Sequence, residues 1–237
     1  MLVFPLMSIL LFKGCDVNEL DEATSVQLQI SMEELEYSDV PVEKGLKAGK
    51  PMQINGGKIT IESIEFDGSR ENAKEYYFSR SFKNGLIGDL GKKEFNTDVS
   101  FDIPQGVYNP AEITLNLKAA DSSHSIILHG KYNSPVFEET HLEFAFFEDA
   151  ESITIKIQNT AGEKKVLFKK GKSKTLDIQI NMNQLFRNDI FKPNRLEEAT
   201  VTHEGGIRKI IISPNQNEEL YDKLVGRIDK SIKAVLK

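Results

Sequence analysis

Four histidines, His124, His129, His141 and His203, are the side chains of this chain best suited to move protons or bind a transition metal near neutral pH. Their spacing suits neither task. None stands beside another His or a Cys at metal-ligand spacing. His124 and His129 are an odd number of positions apart, which on one strand places them on opposite faces. No metal and no cofactor is therefore expected. Nucleophile and phosphate motifs are missing too: there is no G-x-S-x-G, no H-E-x-x-H and no glycine-rich phosphate loop. Asp67-Gly68-Ser69 and Glu148-Asp149-Ala150-Glu151 read as turns, calcium held by Asp149 and Glu151 being the alternative for the second, although no Asp-rich loop of EF-hand spacing occurs. A glycosidase carboxylate pair leaves no local signature, and any acidic chain offers candidates. With no Trp in the sequence, a sugar-stacking platform would rest on Tyr or Phe. Tyr76 and Tyr77 come nearest, and because neighbours on a strand face opposite ways only one of them could join it. No catalytic residue is assigned.

One strongly charged feature stands apart from an otherwise acidic chain. Lys164, Lys165, Lys169, Lys170, Lys172 and Lys174 crowd what the spacing predicts to be a single hairpin. Such charges solubilise a sheet edge and oppose edge-to-edge pairing. The other reading is a contact for anionic lipid headgroups or lipopolysaccharide phosphate.

The only cysteine is Cys15, so no disulfide forms within one chain and no cysteine-based zinc cluster is available. Ahead of it runs Leu2 to Phe12, apolar except for Pro5 and Ser8, followed by Lys13 and Gly14. The run is too short to span a bilayer as a helix and has the length of a signal-peptide core. A small residue directly before Cys is what lipoprotein processing requires, and the segment Leu10-Leu11-Phe12-Lys13-Gly14-Cys15 resembles a bacterial lipobox. It departs from that pattern in lacking Lys or Arg ahead of the apolar run, which a start assigned too late would explain, and in having Lys13 where a small or apolar residue is usual. The alternatives are an N-terminal apolar strand or a buried thiol. The expected organisation is a signal peptide over 1–14, a lipid on Cys15, a polar tether over 15–24 and one domain over 25–237. Asp16, Glu19, Asp21 and Glu22 follow the cysteine, a loose version of the acidic cluster that can direct Bacteroidetes lipoproteins to the cell surface. The predicted location is thus the bacterial envelope, as an outer-membrane lipoprotein facing the periplasm or the exterior.

The elements that must carry these residues are mostly strands. Val26/Leu28/Ile30, Val99/Phe101/Ile103, Ile113/Leu115/Leu117, Leu142/Phe144/Phe146, Ile153/Ile155/Ile157 and Leu176/Ile178/Ile180 are apolar at every second position, with polar residues such as Glu112, Thr114, Asn116 and Lys118 between. That is the period of antiparallel sheet with one wet face. Asp121-Ser122-Ser123, Asn159-Thr160-Ala161-Gly162 and Lys170-Gly171-Lys172 supply turns, so residues 152–182 are expected to form a three-stranded meander. Between Ile59/Ile61 and Ile64/Phe66 the parity slips by one, and a β-bulge at Glu62 and Ser63 would restore both halves to one face. Phe186 to Gly206 reads as a connection with a weak helical pattern at Arg195 to Ala199.

Near its end the chain changes period. Ser213, Pro214 and Gln216 make a helix start, Glu218 and Glu219 suit its first turn, and Lys230, Lys233 and Lys237 suit its end. Leu220, Leu224, Ile228 and Ile232 repeat every four residues, with Val225 and Val235 widening the stripe, so an amphipathic helix over 214–236 is expected to lie against the sheet. A membrane-surface helix is the alternative.

Ile103-Pro104-Gln105-Gly106-Val107-Tyr108 leading into the strand at Ile113, the strand Leu176-Asp177-Ile178 leading into Asn183-Gln184-Leu185-Phe186, and Ile212-Ser213-Pro214-Asn215-Gln216-Asn217 leading into a helix carry a resemblance. Over roughly residues 95 to 237 the chain resembles the Bacteroidetes envelope lipoproteins with a β-sandwich domain of unknown function, the 4382-type family. The resemblance implies a non-enzymatic immunoglobulin-like or transthyretin-like antiparallel sandwich with Tyr108 packed at a strand corner, and it brings no catalytic residues. Pro104 and Gly106 also suit a turn on physical grounds, and Tyr108 offers a ring with a polar tip.

At 237 residues, 39% hydrophobic and 28% charged, the chain can bury a real core, and no repeat or low-complexity linker divides it. A net charge of −6 lacks the basic face that nucleic-acid binding needs. The functions left open are a lipid-anchored envelope protein with a binding, adhesion or structural role, a carbohydrate-binding lipoprotein of a glycan-uptake system, and an uncharacterised hydrolase. Partners are then the membrane and an envelope protein or glycan.

Overall fold

The computed structural model describes residues 23–36, 52–119, 124–133, 139–187 and 191–237. Cys15, the apolar run before it and the Asp121-Ser122-Ser123 turn lie outside the described residues.

The fold is mainly β. Strands β1 (Ala23–Glu33), β2 (Met52–Arg70), β3 (Tyr76–Asp89), β4 (Glu94–Phe95), β5 (Ser100–Pro104), β6 (Gly106–Leu117), β7 (Ile126–Tyr132), β8 (Thr140–Phe146), β9 (Glu151–Asn159), β10 (Val166–Phe168) and β11 (Ser173–Asn181) come first. Helix α1 (Met182–Leu185), a 3-10 turn over Pro193–Glu197, β12 (Thr202–Glu204), β13 (Ile207–Ile212), α2 (Glu218–Val225), α3 (Ile228–Ser231) and β14 (Ile232–Leu236) follow. All fourteen strands belong to one sheet, with the path β12-β13-β8-β7-β2-β6-β9-β14-β11-β1-β5; β3 and β4 lie off β2, and β10 pairs with β6.

The six alternating runs fall on strands with their apolar parity facing the core, although Val99 stands just ahead of β5 and Phe101 is half-buried. Val26, Leu28 and Ile30 of β1 and Leu176, Ile178 and Ile180 of β11 are all at most 3% exposed. The bulge expected at Glu62 and Ser63 is present, since the pairing of β2 with both β3 and β6 shifts between Ile61 and Ser63, and Ile59, Ile61, Ile64 and Phe66 are all fully buried. Asp67-Gly68-Ser69, expected as a turn, instead continues β2. The sheet curls so that its two halves pack face to face. Ile30 of β1 presses on the β2–β3 ladder at Gly88, where a Cβ would stand 2.9 Å from Ile30 Cδ1 and 2.9 Å from Ile59 Cγ2. Where edge strands β3 and β5 approach, side chains close the seam. Tyr76 Oη donates to Asp102 O at 3.1 Å, Arg80 donates to Ser100 O at 2.9 Å, and the rings of Phe78 and Phe101 lie 4.6 Å apart.

Three findings depart from the antiparallel expectation, because long-range partners compete with local hairpins. First, the pairs β1–β11, β8–β13 and β9–β14 are parallel, so the sheet is mixed. Second, residues 152–182 do not form a meander. β14 lies between β9 and β11, and β10 leaves them to pair with β6. Third, the single helix expected over 214–236 is two short helices and a strand. Ser213 and Gln216 close a turn on each other, and the helix starts only after Asn217, whose left-handed backbone (φ 57°) and side-chain bonds to Ile211 O and Thr200 tie it to β13. Gly226 ends α2, and α3 gives way to β14. Leu220, Leu224, Ile228 and Ile232 are buried as the stripe requires, but Ile232, Ala234 and Leu236 are buried as alternate strand residues. The connection before Gly206 likewise holds structure, namely the 3-10 turn and the β12–β13 hairpin.

Tyr108 does pack at a corner. Its ring is fully buried, 5.1 Å from Phe168 and 5.9 Å from Phe66, and its hydroxyl donates to Pro104 O at 2.9 Å. The buried polar tip is thereby satisfied.

Candidate functional site

The six lysines do not share one hairpin; they flank β10 on two turns and reach into β11. β9 ends at Asn159, whose side-chain oxygen accepts from the backbone N–H of Ala161 at 2.9 Å and of Glu163 at 3.0 Å, shaping the first turn. Lys164 and Lys165 are exposed there, and Lys165 Nζ stands 2.7 Å from Glu71 Oε1. β10 is short but well held: Val166 and Phe168 are each 1% exposed and Leu167 points out. Lys169, Lys170 and Lys172 then ride an exposed turn around Gly171, whose φ of 62° suits a residue without Cβ. Lys174, half-buried, stands at the start of β11.

This second turn is bonded to the place where the domain begins. The fully buried Thr24 donates its hydroxyl to Lys169 O at 2.7 Å, and Gly171 N–H donates to Ala23 O at 3.4 Å. β1 thus enters the sheet directly beside the lysines, two residues earlier than the expected tether would end, and Ser25 pairs with Ser173 in parallel register. Lys237 reaches the same end of the sheet, exchanging backbone hydrogen bonds with Thr175. Its ammonium stands 2.6 Å from Asp177 Oδ2. Asp177 is buried at 3% exposure. Burial pushes its carboxyl up, but hydrogen bonds from Gln179, Lys237 and Ser31 outweigh burial and hold it below the usual aspartate value. Exposed ammonium groups on turns act as point charges suited to phosphate or carboxylate oxygens.

A second surface lies on the outer face of β3, β2, β6 and β9. Tyr77 is 59% exposed there and donates to Glu65 Oε2 at 3.1 Å, a bond that favours its protonated form. Asn116 donates to Ser63 at 2.9 Å and to the other oxygen of Glu65 at 2.8 Å, and accepts from Ser152 at 2.7 Å; Thr114 and Thr154 share a hydrogen bond. Tyr76 faces the other way, into the rings of Phe66 and Phe78, so the two tyrosines divide as strand geometry requires. These polar groups form one ladder, and among the described residues Tyr77 is its exposed ring.

Two of the four histidines share a groove and the other two stand apart. His124 precedes β7, with Nε2 3.4 Å from Glu148 Oε1. His129 and His141 line an open groove of about 410 Å³ with Glu143, Lys209 and Ile207, in which Lys209 Nζ stands 3.0 Å from Glu143. His203 lies on β12. Among the described residues, no three His, Cys, Asp or Glu side chains gather as metal ligands. Asp149 is exposed between β8 and β9, and Glu151 opens β9. Among the same residues no helix is long and apolar enough to cross a membrane, which says nothing of strands.

What the sequence missed was the connection between its two most informative features. Lysine clustering was legible in composition; its position against the entry of β1 depends on β1 pairing with β11, for which neither strand carries a local signal. Compared with protein-family models, with curated proteins and with solved structures, the chain finds no match.

Proposed function

We propose that this chain is a lipid-anchored protein of the bacterial envelope, held to the outer membrane through Cys15, whose β-domain serves a binding, adhesion or structural role rather than a catalytic one. One observation carries the reading: β1 begins only eight positions after Cys15, and it does so beside the lysine turn. An anchor at Cys15 would thus leave the domain on a short leash with the Lys169–Lys172 turn at the end nearest the bilayer. The curled sheet is read as an immunoglobulin-like or transthyretin-like sandwich. The face-to-face packing of Ile30 on the β2–β3 ladder and the Tyr108 corner support this, as does the resemblance of the Pro104–Tyr108 and Ser213–Asn217 segments to envelope lipoproteins. Lipidation is tested in the native host with a clickable fatty acid. The wild type should label and sediment with membranes, and Cys15→Ala should do neither. Unlabelled, soluble wild-type protein retaining Met1 would sink the reading.

A second reading is carbohydrate capture on the Tyr77 face, favoured by one exposed ring beside a ladder of hydroxyl, amide and carboxylate groups.

A further inference from the structure

We infer that the outer face of β3, β2, β6 and β9 binds an uncharged glycan, which lies along the rows of this face with one sugar ring on Tyr77. The inference deepens the carbohydrate reading of the face and rests on it, while the anchor at Cys15 plays no part. Strand register builds the face as three rows of four. The first row sets Ser81, Ser63, Asn116 and Ser152 side by side. Ser79, Glu65, Thr114 and Thr154 make the second. Tyr77, Asp67, Glu112 and Lys156 make the third. Strands about 4.8 Å apart and a rise of about 3.4 Å per residue make the grid roughly 14 Å each way.

Composition chooses the partner. Seven of the twelve side chains carry a hydroxyl, and none is Val, Ile, Leu, Met or Phe. A protein interface is built around apolar and aromatic anchors at its centre, whereas the centre here is Ser63, Glu65, Asn116 and Thr114. Within the grid three carboxylates stand against one lysine, a balance that repels phosphate, sulfate and uronate groups. What fits is a ligand rich in hydroxyls, without charge, and apolar only on its ring faces. The polar groups are also set before it arrives. Asn116 holds Ser63, Glu65 and Ser152, and Thr114 and Thr154 hydrogen-bond each other, so few rotamers remain to be frozen on binding. Short Ser, Thr and Asn side chains let a sugar chain come close to the sheet. Tyr77 on β3 reaches Glu65 on β2 at 3.1 Å, which holds its ring over the face while 59% of the residue stays exposed. A held aromatic ring with a polar tip is a platform for the C–H face of a sugar.

The full-length chain is tested by affinity gel electrophoresis through mannan, laminarin or amylopectin, which are uncharged, and through alginate, which carries carboxylates. At least one uncharged glycan should retard it, and alginate should not. Tyr77→Ala should weaken that retention at least about fivefold, the scale of one aromatic contact. Thr154→Arg, which drives a long side chain along the second row from β9, should weaken it by a similar factor. His129→Ala, in the groove on β7 and β8, should leave it unchanged. If Tyr77→Ala melts below the wild type, Thr154→Arg decides the matter alone. Retention by an uncharged glycan that survives both substitutions, or retention by alginate alone, would overturn the inference and leave the chain a carbohydrate binder by another surface. No retention in any of the four gels sinks the carbohydrate reading and the inference with it.

Discussion

At one end β11 runs straight into α1, while at the other it emerges from the Lys169–Lys172 turn, and the two ends finish their strands by different means. The helical end is closed by buried and half-buried groups. Asn181 accepts from Gln184 N–H at 2.7 Å, Arg227 donates to the last carbonyls of α1 at Gln184 and Leu185, and Ser231 returns a hydrogen bond to Arg227 O at 2.7 Å. Phe186, 1% exposed, sits 4.9 Å from Phe144 and 5.4 Å from Phe191. The lysine end is closed by exposed turns, and Asp177 is the one buried carboxylate there among the described residues. Helix termini leave backbone groups that must find partners, so an end built from helices has to be capped and packed. An end built from turns is satisfied locally, and its side chains are left to face whatever lies outside.

The largest expected contrast follows from packing. Phe186→Ala opens a cavity beneath α1 and should cost about 3–5 kcal/mol, read as a lowered denaturant midpoint with unchanged slope. A loss below about 1 kcal/mol would mean that the helical end is no better packed than the lysine end.

An intermediate effect is expected at Asp177. Its folded value is depressed, so its contribution is fully present above the unfolded value near 3.9 and is lost as pH falls through the lower folded value. Asp177→Asn should cost about 1–3 kcal/mol at neutral pH through its weakened bonds to Lys237, Gln179 and Ser31. The gap between wild type and variant should narrow as the pH drops below about 4. Equal slopes of stability against pH in that acid window would show that Asp177 gives this end no buried charge to lose.

The smallest effect sharpens the comparison from the other side. Replacing Lys169, Lys170 and Lys172 together by Gln should change unfolding stability by no more than about 0.5 kcal/mol, since the turn is held by backbone bonds and by Thr24. A drop well beyond that in thermal melts would assign the lysines a structural role in the fold.

Much of the strand content was legible because alternation is a local property. The six runs at Val26, Val99, Ile113, Leu142, Ile153 and Leu176 need only their own side chains to declare which face is buried. The slip in parity between Ile61 and Ile64 located the bulge for the same reason. The segment after Ser213 was ambiguous in kind. Leu220, Leu224, Ile228 and Ile232 satisfy a helix, while Ile232, Ala234 and Leu236 satisfy a strand, and Gly226 was the local sign that the helix would stop.

The sequence by itself therefore determined the mainly β character, the buried parity of its strands, the turn at Pro104 and Gly106 and the presence of a lysine cluster, because each rests on residues a few positions apart. The tertiary structure alone decided that β14 would lie between β9 and β11, that three strand pairs would run parallel, and that the lysine turn would meet the entry of β1. Those choices depend on which backbone edges remain unpaired once the sheet curls, and a strand edge presents the same N–H and C=O groups whatever its side chains.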